Sequence, residues 1–148
     1  MHEPISVTPI GIVKNGIPPG TCGEMLRRSE ATILVDERFT TALKGIERYS
    51  HIVVTFWMHE VPEEKRGQLL TLLPYAPDAG VVGVFASRVP WRPSPIGISV
   101  VRFRQRIGRR VLVCGLDARN GSPVLDIKPY TGHALERPGT FTLPDWEA

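Results

Sequence analysis

At 148 residues, with 42% hydrophobic and 22% charged side chains, the chain has the size and balance of one domain with its own core, which excludes a disordered or collagen-like chain. Its formal net charge of +3 is modest, so any strongly basic surface must be local. The longest apolar run, around "IVVTFWM", falls well short of the roughly 20 residues of a membrane-spanning helix and excludes such a span.

The opening "MHEPISVTP" lacks the basic start and apolar segment of a secretory signal, so a cytoplasmic location is expected. Cys22 and Cys114 stand apart, with no CxxC or HExxH spacing, so no metal site is expected and both cysteines should be thiols. Cys114, within "VLVCGLD", reads as a buried small apolar residue. Glycine and proline, 14 of each, demand frequent turns, which with short apolar runs favours a β-rich architecture.

In chain order, "ISVTPIGIVKN" reads as a first strand interrupted at Pro9, "GIPPGTCGE" as a loop, and "EATILVD" as the next strand. In "RFTTALKGIERYS", Phe39, Ala42, Leu43, Ile46 and Tyr49 recur at spacings of three and four, which predicts a short helix weakened by Gly45. "HIVVTFWMHE" reads as a buried strand ending near His59 and Glu60. From Val61 to Gly80 no period holds, which predicts a long loop with at most one helical turn. "VVGVFAS", "IGISVVRFRQRI", "RRVLVCGLD" and "SPVLDIKPY" read as strands, the last three separated by turns at Gly108-Arg109 and Asn120-Gly121.

The expected fold is mainly β: a small antiparallel barrel closed from a single sheet in meander order, with one or two short helices. One domain is expected over residues 1–148, its tail from Thr131 lying on the barrel or on a partner chain.

Two stretches stand out. Pro90, Pro93 and Pro95 make "VPWRPSPIG" an extended, low-entropy connector. It suits holding a ligand, and it equally suits protecting a barrel edge. Arg102, Arg104, Arg106, Arg109 and Arg110 then crowd one hairpin, either as its solvated face or as a contact for nucleic-acid phosphates.

"FASRVPWRPSPIGIS" together with "LDARNGSPVLDIKPY" resembles the paired signature of the TsaA-like family, also called the TrmO family, of S-adenosylmethionine-dependent tRNA methyltransferases. "VTPIGIV" and "LKGIERYSHIVVTFWMH" resemble that family as well, so the likeness covers most of residues 5 to 130. It implies a small β-barrel, unlike the common Rossmann-type methyltransferase, that works as a homodimer with the cofactor near the subunit contact. It also implies methyl transfer to N6 of threonylcarbamoyl-adenosine 37 of tRNA.

Position by position, the resemblance implies cofactor contacts at His59, Glu60, Phe85, Arg88, Ile98, Gly115, Leu116 and Asp117. Arg88 suits the methionine carboxylate, and backbone groups near Leu116 suit the adenine edge. It implies substrate or RNA contacts at Arg92, Ser94, Asp126 and Lys128, with Lys128 and Tyr130 as candidates for handling a proton. Read from the residues by themselves, Arg88 could instead pair with Asp117 or Asp126, and His59 could simply end a strand.

The chain departs from the family pattern in four ways. "IPPGTCGE" stands where the family commonly has "PRQ", Ser94 where it has Asn, and Asn120-Gly121 where it has Asp-Gly; a C-terminal domain of longer bacterial relatives is not expected here. These departures leave open a methyltransferase for another RNA or a small molecule, or a non-catalytic nucleotide- or RNA-binding barrel. A hydrolase using Cys114 with a histidine is a more distant alternative.

Overall fold

The computed structural model describes residues 3–132 and 139–147. Its strands are β1 (Gly11–Lys14), β2 (Glu30–Val35), β3 (His51–Trp57), β4 (Leu70–Leu72), β5 (Val81–Gly83), β6 (Ile96–Ile107), β7 (Arg110–Cys114) and β8 (Pro123–Pro129). Two short helices join them, α1 (Gly23–Arg28) and α2 (Glu63–Arg66). The contacts divide the described residues into two compact units, one of those up to Met58 with Ile96–Tyr130, the other of His59–Pro95 with the described residues from Thr131 onward.

The first unit is a closed barrel of six strands, ordered β1-β2-β7-β6-β3-β8, with every pairing antiparallel. The expectation of a mainly β, closed antiparallel barrel holds. The meander does not: β3 lies between β6 and β8, because it exchanges ladders with two strands that come much later in the chain.

Alternation builds the core. Ile52, Val54 and Phe56 of β3, Val111 and Val113 of β7, and Ala31, Ile33 and Val35 of β2 all point inward and are buried. These are mostly β-branched side chains that suit a pleated surface, and each valine, isoleucine or phenylalanine among them contributes about 1.5–3 kcal/mol on full burial. Gly97 is dictated by packing: a Cβ there would lie 2.3 Å from the Phe56 ring. The two residues are register partners, and the missing side chain makes room for the ring.

Residues 38–50 do not form one α-helix. Glu37–Leu43 and Ile46–Arg48 are two 3-10 segments, closed by bonds such as Lys44 N–H to the Thr41 carbonyl, and Gly45 separates them at φ 94°. Phe39, Leu43 and Ile46 still pack on the core as the spacing requires, whereas Ala42 and Tyr49 are exposed. The stretch "GIPPGTCGE" runs into α1, whose Leu26 is buried and whose Glu24 and Arg28 pair at 2.7 Å.

The second unit holds what was expected to be a long loop. It contains α2, β4, a 3-10 turn at Pro77–Ala79 and the strand β5. β4 and β5 form their own two-stranded sheet, so "VVGVFAS" is no barrel strand and the chain has more than a single sheet. Only Val81–Gly83 stays extended, and Val84–Ala86 tightens into a 3-10 turn. The tail groups with this unit: the Tyr75 hydroxyl donates to a Glu147 carboxylate oxygen at 3.0 Å. The tail expectation for residues 133–138 lies outside the described residues.

Candidate functional site

The proline connector is the most constrained element of the second unit. Lacking ladder partners and carrying prolines without N–H groups, it needs another source of order. Arg92 supplies it. Its Nε donates to the Val89 carbonyl at 3.0 Å, and its Nη2 donates to the carbonyls of Val84 at 2.9 Å and Ser87 at 2.6 Å. The Ser87 hydroxyl donates to the Val84 carbonyl as well, and the Trp91 indole N–H reaches the Thr71 hydroxyl at 3.3 Å. Val84, Val89 and Pro95 are buried beneath this network.

The staple determines what the connector presents. Phe85 is 81% exposed, far beyond what an aromatic ring usually shows solvent. Arg88 is also exposed and makes no hydrogen bond or ion pair among the described residues. It acts electrostatically on Tyr75, whose phenol is held above its ordinary pKa by the Glu147 carboxylate that accepts its proton, with Arg88 opposing the rise. Ser94, His59 and Glu60 are exposed in the same unit. Arg92, for which a substrate contact is expected, turns its Nε and Nη2 donors to the loop's own carbonyls.

In the barrel unit, the residues after β7 form a second preorganised stretch. Gly115 takes φ 94°, a conformation that favours glycine, and its N–H donates to the Ser29 carbonyl at 3.2 Å. Leu116 is buried in the core, while Asp117 reaches out to pair with Arg27 of α1 at 2.9 Å. Arg119 donates to the Thr21 carbonyl, and the Asn15 side chain donates to the Ala118 carbonyl at 3.0 Å. The Arg27–Asp117 pair has no counterpart in the sequence reading, which assigns no element to residues 25–29.

Ile98, Asp126 and Lys128 lie together on the outer face of the barrel. Ile98 of β6 and Asp126 of β8 both stand opposite Thr55 of β3, and Lys128 stands opposite the next outward residue, Val53. Lys128 Nζ and Asp126 Oδ2 are 2.5 Å apart, so this ammonium already serves as a donor to a neighbouring carboxylate. Tyr130 follows β8, anchored by its N–H to the His51 carbonyl at 3.1 Å.

Cys114 is half-buried and faces outward, contrary to the buried reading, because Val111 and Val113 take the inward positions of β7. It stands opposite Arg102, and Arg102 in turn stands opposite His51. Two strand spacings, about 10 Å, therefore separate the thiol from the described histidine of its own unit, too far for a nucleophile–base pair.

The sequence matches the family described as tRNA-methyltransferase O N-terminal domain over residues 13–134. It is similar to VirR of Rhizobium radiobacter, a probable S-adenosyl-L-methionine-binding protein, with 41% identity over 118 residues, 76% of this chain and 63% of that one. Similarity to the human tRNA (adenine(37)-N6)-methyltransferase runs at 32% identity over 126 residues, 79% of this chain and 26% of the human protein. The crystal structure of TrmO from Pseudomonas aeruginosa matches with a TM-score of 0.75 at 28% identity, covering 100% of this chain and 64% of that chain. The chain thus spans less than two thirds of the length of each of these relatives.

Proposed function

The chain belongs to the tRNA-methyltransferase O N-terminal domain family, and from that premise we propose that it binds S-adenosyl-L-methionine and transfers its methyl group to N6 of an adenosine in tRNA, at position 37. The substrate form we propose is the threonylcarbamoyl-adenosine. Arg88 carries the reading: it is a fully available guanidinium, fixed on a stapled loop beside an exposed aromatic ring.

The residues present fit the cofactor's chemical groups. Arg88 offers a two-pronged donor to the methionine carboxylate. Phe85 of the same unit offers apolar surface; the barrel unit, taken by itself, offers the apolar side chain of Ile98 and fixed backbone groups around Gly115, Leu116 and Asp117 of the kind an adenine edge takes. His59 and Glu60 are exposed polar groups of the same unit as Arg88. When bound, the cofactor supplies an already electrophilic methyl group, so the protein's task is alignment and exclusion of water more than activation.

On the acceptor side, Asp126, Lys128 and Tyr130 present polar groups along β8. In the other unit, Ser94 presents an exposed hydroxyl on the connector. Lys128, held by Asp126, suits orientation of the acceptor better than proton abstraction. Tyr130 is the remaining candidate for accepting or relaying the N6 proton. A homodimer belongs to the same reading, supported by Ile96, Ile98 and Val100, which are exposed along one face of β6. So does a cytoplasmic site of action, and among the described residues no helix is long and apolar enough to cross a membrane.

The test is transfer of labelled methyl from S-adenosyl-L-methionine to unfractionated tRNA, followed by nucleoside analysis. Label in N6-methylated threonylcarbamoyl-adenosine is the expected result. Cofactor binding without any tRNA labelling would point to a different acceptor.

A further inference from the structure

We propose that the outer face of the β6–β7 hairpin is an RNA-binding surface, in which Arg102, Arg104 and Arg110 grip phosphates while Arg106 and Arg109 build the barrel. This rests on the tRNA reading above and adds where on the barrel the RNA would lie.

A β-bulge sorts the three arginines of β6, while Arg109 lies in the turn and Arg110 alternates outward on β7. Arg102 pairs with Cys114 and Phe103 with Val113, but Leu112 pairs with Gln105, so Arg104 is left without a ladder partner. The extra residue flips the alternation of β6. Before the bulge Arg102 points outward beside Cys114. At the bulge Arg104 and Gln105 are both exposed. After it, Arg106 stands opposite inward-facing Val111 and turns toward the barrel end.

Their partners follow from that geometry. Arg106 donates to the carbonyls of Gly108 at 2.9 Å and Leu43 at 3.4 Å and approaches Glu47 at 3.9 Å, and Arg109 donates to the Val35 carbonyl at 3.1 Å. Both are committed to backbone groups. Arg102 and Arg110 make no ion pair or side-chain hydrogen bond among the described residues. Arg104 has only a loose approach to Glu30, at 3.9 Å between exposed side chains, an interaction that contributes little in water.

The result is a stripe of available guanidinium groups about 14 Å long, from Arg102 to the Arg110–Ile107 pair. Shallow grooves flank it. One of about 360 Å³ is lined by Glu30, Arg102, Phe103, Arg104, Gln105 and Leu112. The other, about 470 Å³, runs past Arg104 on the Glu47 and Gly108 side. Arg104 is the ridge between them. Guanidinium forks match phosphate oxygens in pairs, and Gln105 adds an amide for a sugar or base edge. The strand ladder keeps the backbone rigid, so few degrees of freedom are lost on binding.

The experiment is equilibrium binding of unfractionated tRNA to the full chain across a salt series. It compares the parent, the R102Q/R104Q/R110Q variant, and a charge-matched K14Q/R28Q/K44Q control at exposed sites outside the hairpin. Cofactor titration of all three runs alongside as a check on folding and on the methyltransferase reading. Each phosphate contact contributes about 0.7–0.9 to the slope of log K against log salt, so the hairpin variant should lose about 2–3 from that slope and at least about tenfold in affinity at low salt. The control should track the parent, and cofactor binding should be unchanged in all three.

If the parent binds tRNA and the hairpin variant binds it equally well, the hairpin is a solvated or protein-facing surface and this inference falls while the methyltransferase reading stands. If the parent binds cofactor but no tRNA at any salt, both the RNA surface and the tRNA substrate fall together. Equal loss in the control would reduce the effect to net charge and overturn the assignment to the hairpin.

Discussion

The proline connector and the β6–β7 hairpin both carry arginines in quick succession, and each divides them between backbone and solvent, but for opposite structural reasons. The connector has no ladder, so Arg92 takes three carbonyls to give the loop a shape, and Arg88 is left over. The hairpin has its ladder, and a bulge within it decides which arginines point out. An arginine is thus structural where carbonyls lack partners or where alternation turns it toward the barrel, and it is available for a ligand elsewhere. Composition does not separate the two roles; backbone hydrogen-bond accounting does.

The largest expected effect tests that contrast. Arg92→Ala should leave the Ser87 and Val89 carbonyls without their donor, while Val84 keeps that of Ser87, and destabilise the connector by about 2–3 kcal/mol. It should weaken cofactor binding through loss of loop shape, and Arg92→Lys should restore little, because one ammonium cannot hold the same fork. Denaturant unfolding together with limited proteolysis across Val84–Pro95 would read both. Arg109→Ala, which removes a single partly exposed bond to the Val35 carbonyl, should cost only about 0.5–1 kcal/mol, since the ladder holds the hairpin without it. Equal costs would erase the distinction between a stapled loop and a laddered one.

A smaller effect is expected where the connector passes into β6. Gly97→Ala should cost about 1–3 kcal/mol, because its methyl group would meet the Phe56 ring, which must shift within a packed core. A neutral result in thermal unfolding would show that the glycine serves something other than the ring.

The smallest is a titration. The Tyr75 phenol, donating to Glu147, has a folded-state pKa above its unfolded one. The stability it contributes is therefore complete below the ordinary phenol range and is lost as pH rises through the raised value. Spectrophotometric titration of the parent and Glu147→Gln should show the Tyr75 phenol ionising at lower pH in the variant, and identical curves would remove Glu147 as the cause.

Much of the barrel was legible because its strands alternate cleanly. "EATILV" and "HIVVTFW" put every second residue into the core, and the Gly108 and Asn120-Gly121 turns lie where the turn chemistry put them. The order of strands was not legible, since β3 finds β8 across more than 70 residues and no local pattern encodes that pairing. The helix expected at residues 38–50 had the right inward residues but the wrong pitch, because Gly45 breaks it into tighter turns. α1 was hidden by the prolines and glycines before it.

Within the candidate site, the connector's rigidity was readable from Pro90, Pro93 and Pro95. That Arg92 would be consumed and Arg88 left available was not, because it depends on where three carbonyls point. The same holds for Arg104, whose exposure comes from a bulge that no residue in "RFRQRI" announces.

The most direct test of the account is calorimetric titration of the protein and its Arg88→Ala variant with S-adenosyl-L-methionine, with unfolding curves recorded for both. Arg88 is exposed and makes no hydrogen bond or ion pair among the described residues, so stability should stay within about 0.5 kcal/mol of the parent. Losing a charged donor to a carboxylate should weaken binding about 10- to 100-fold. Undiminished binding by the variant would contradict the claim that the stapled connector exists to present Arg88 to the cofactor.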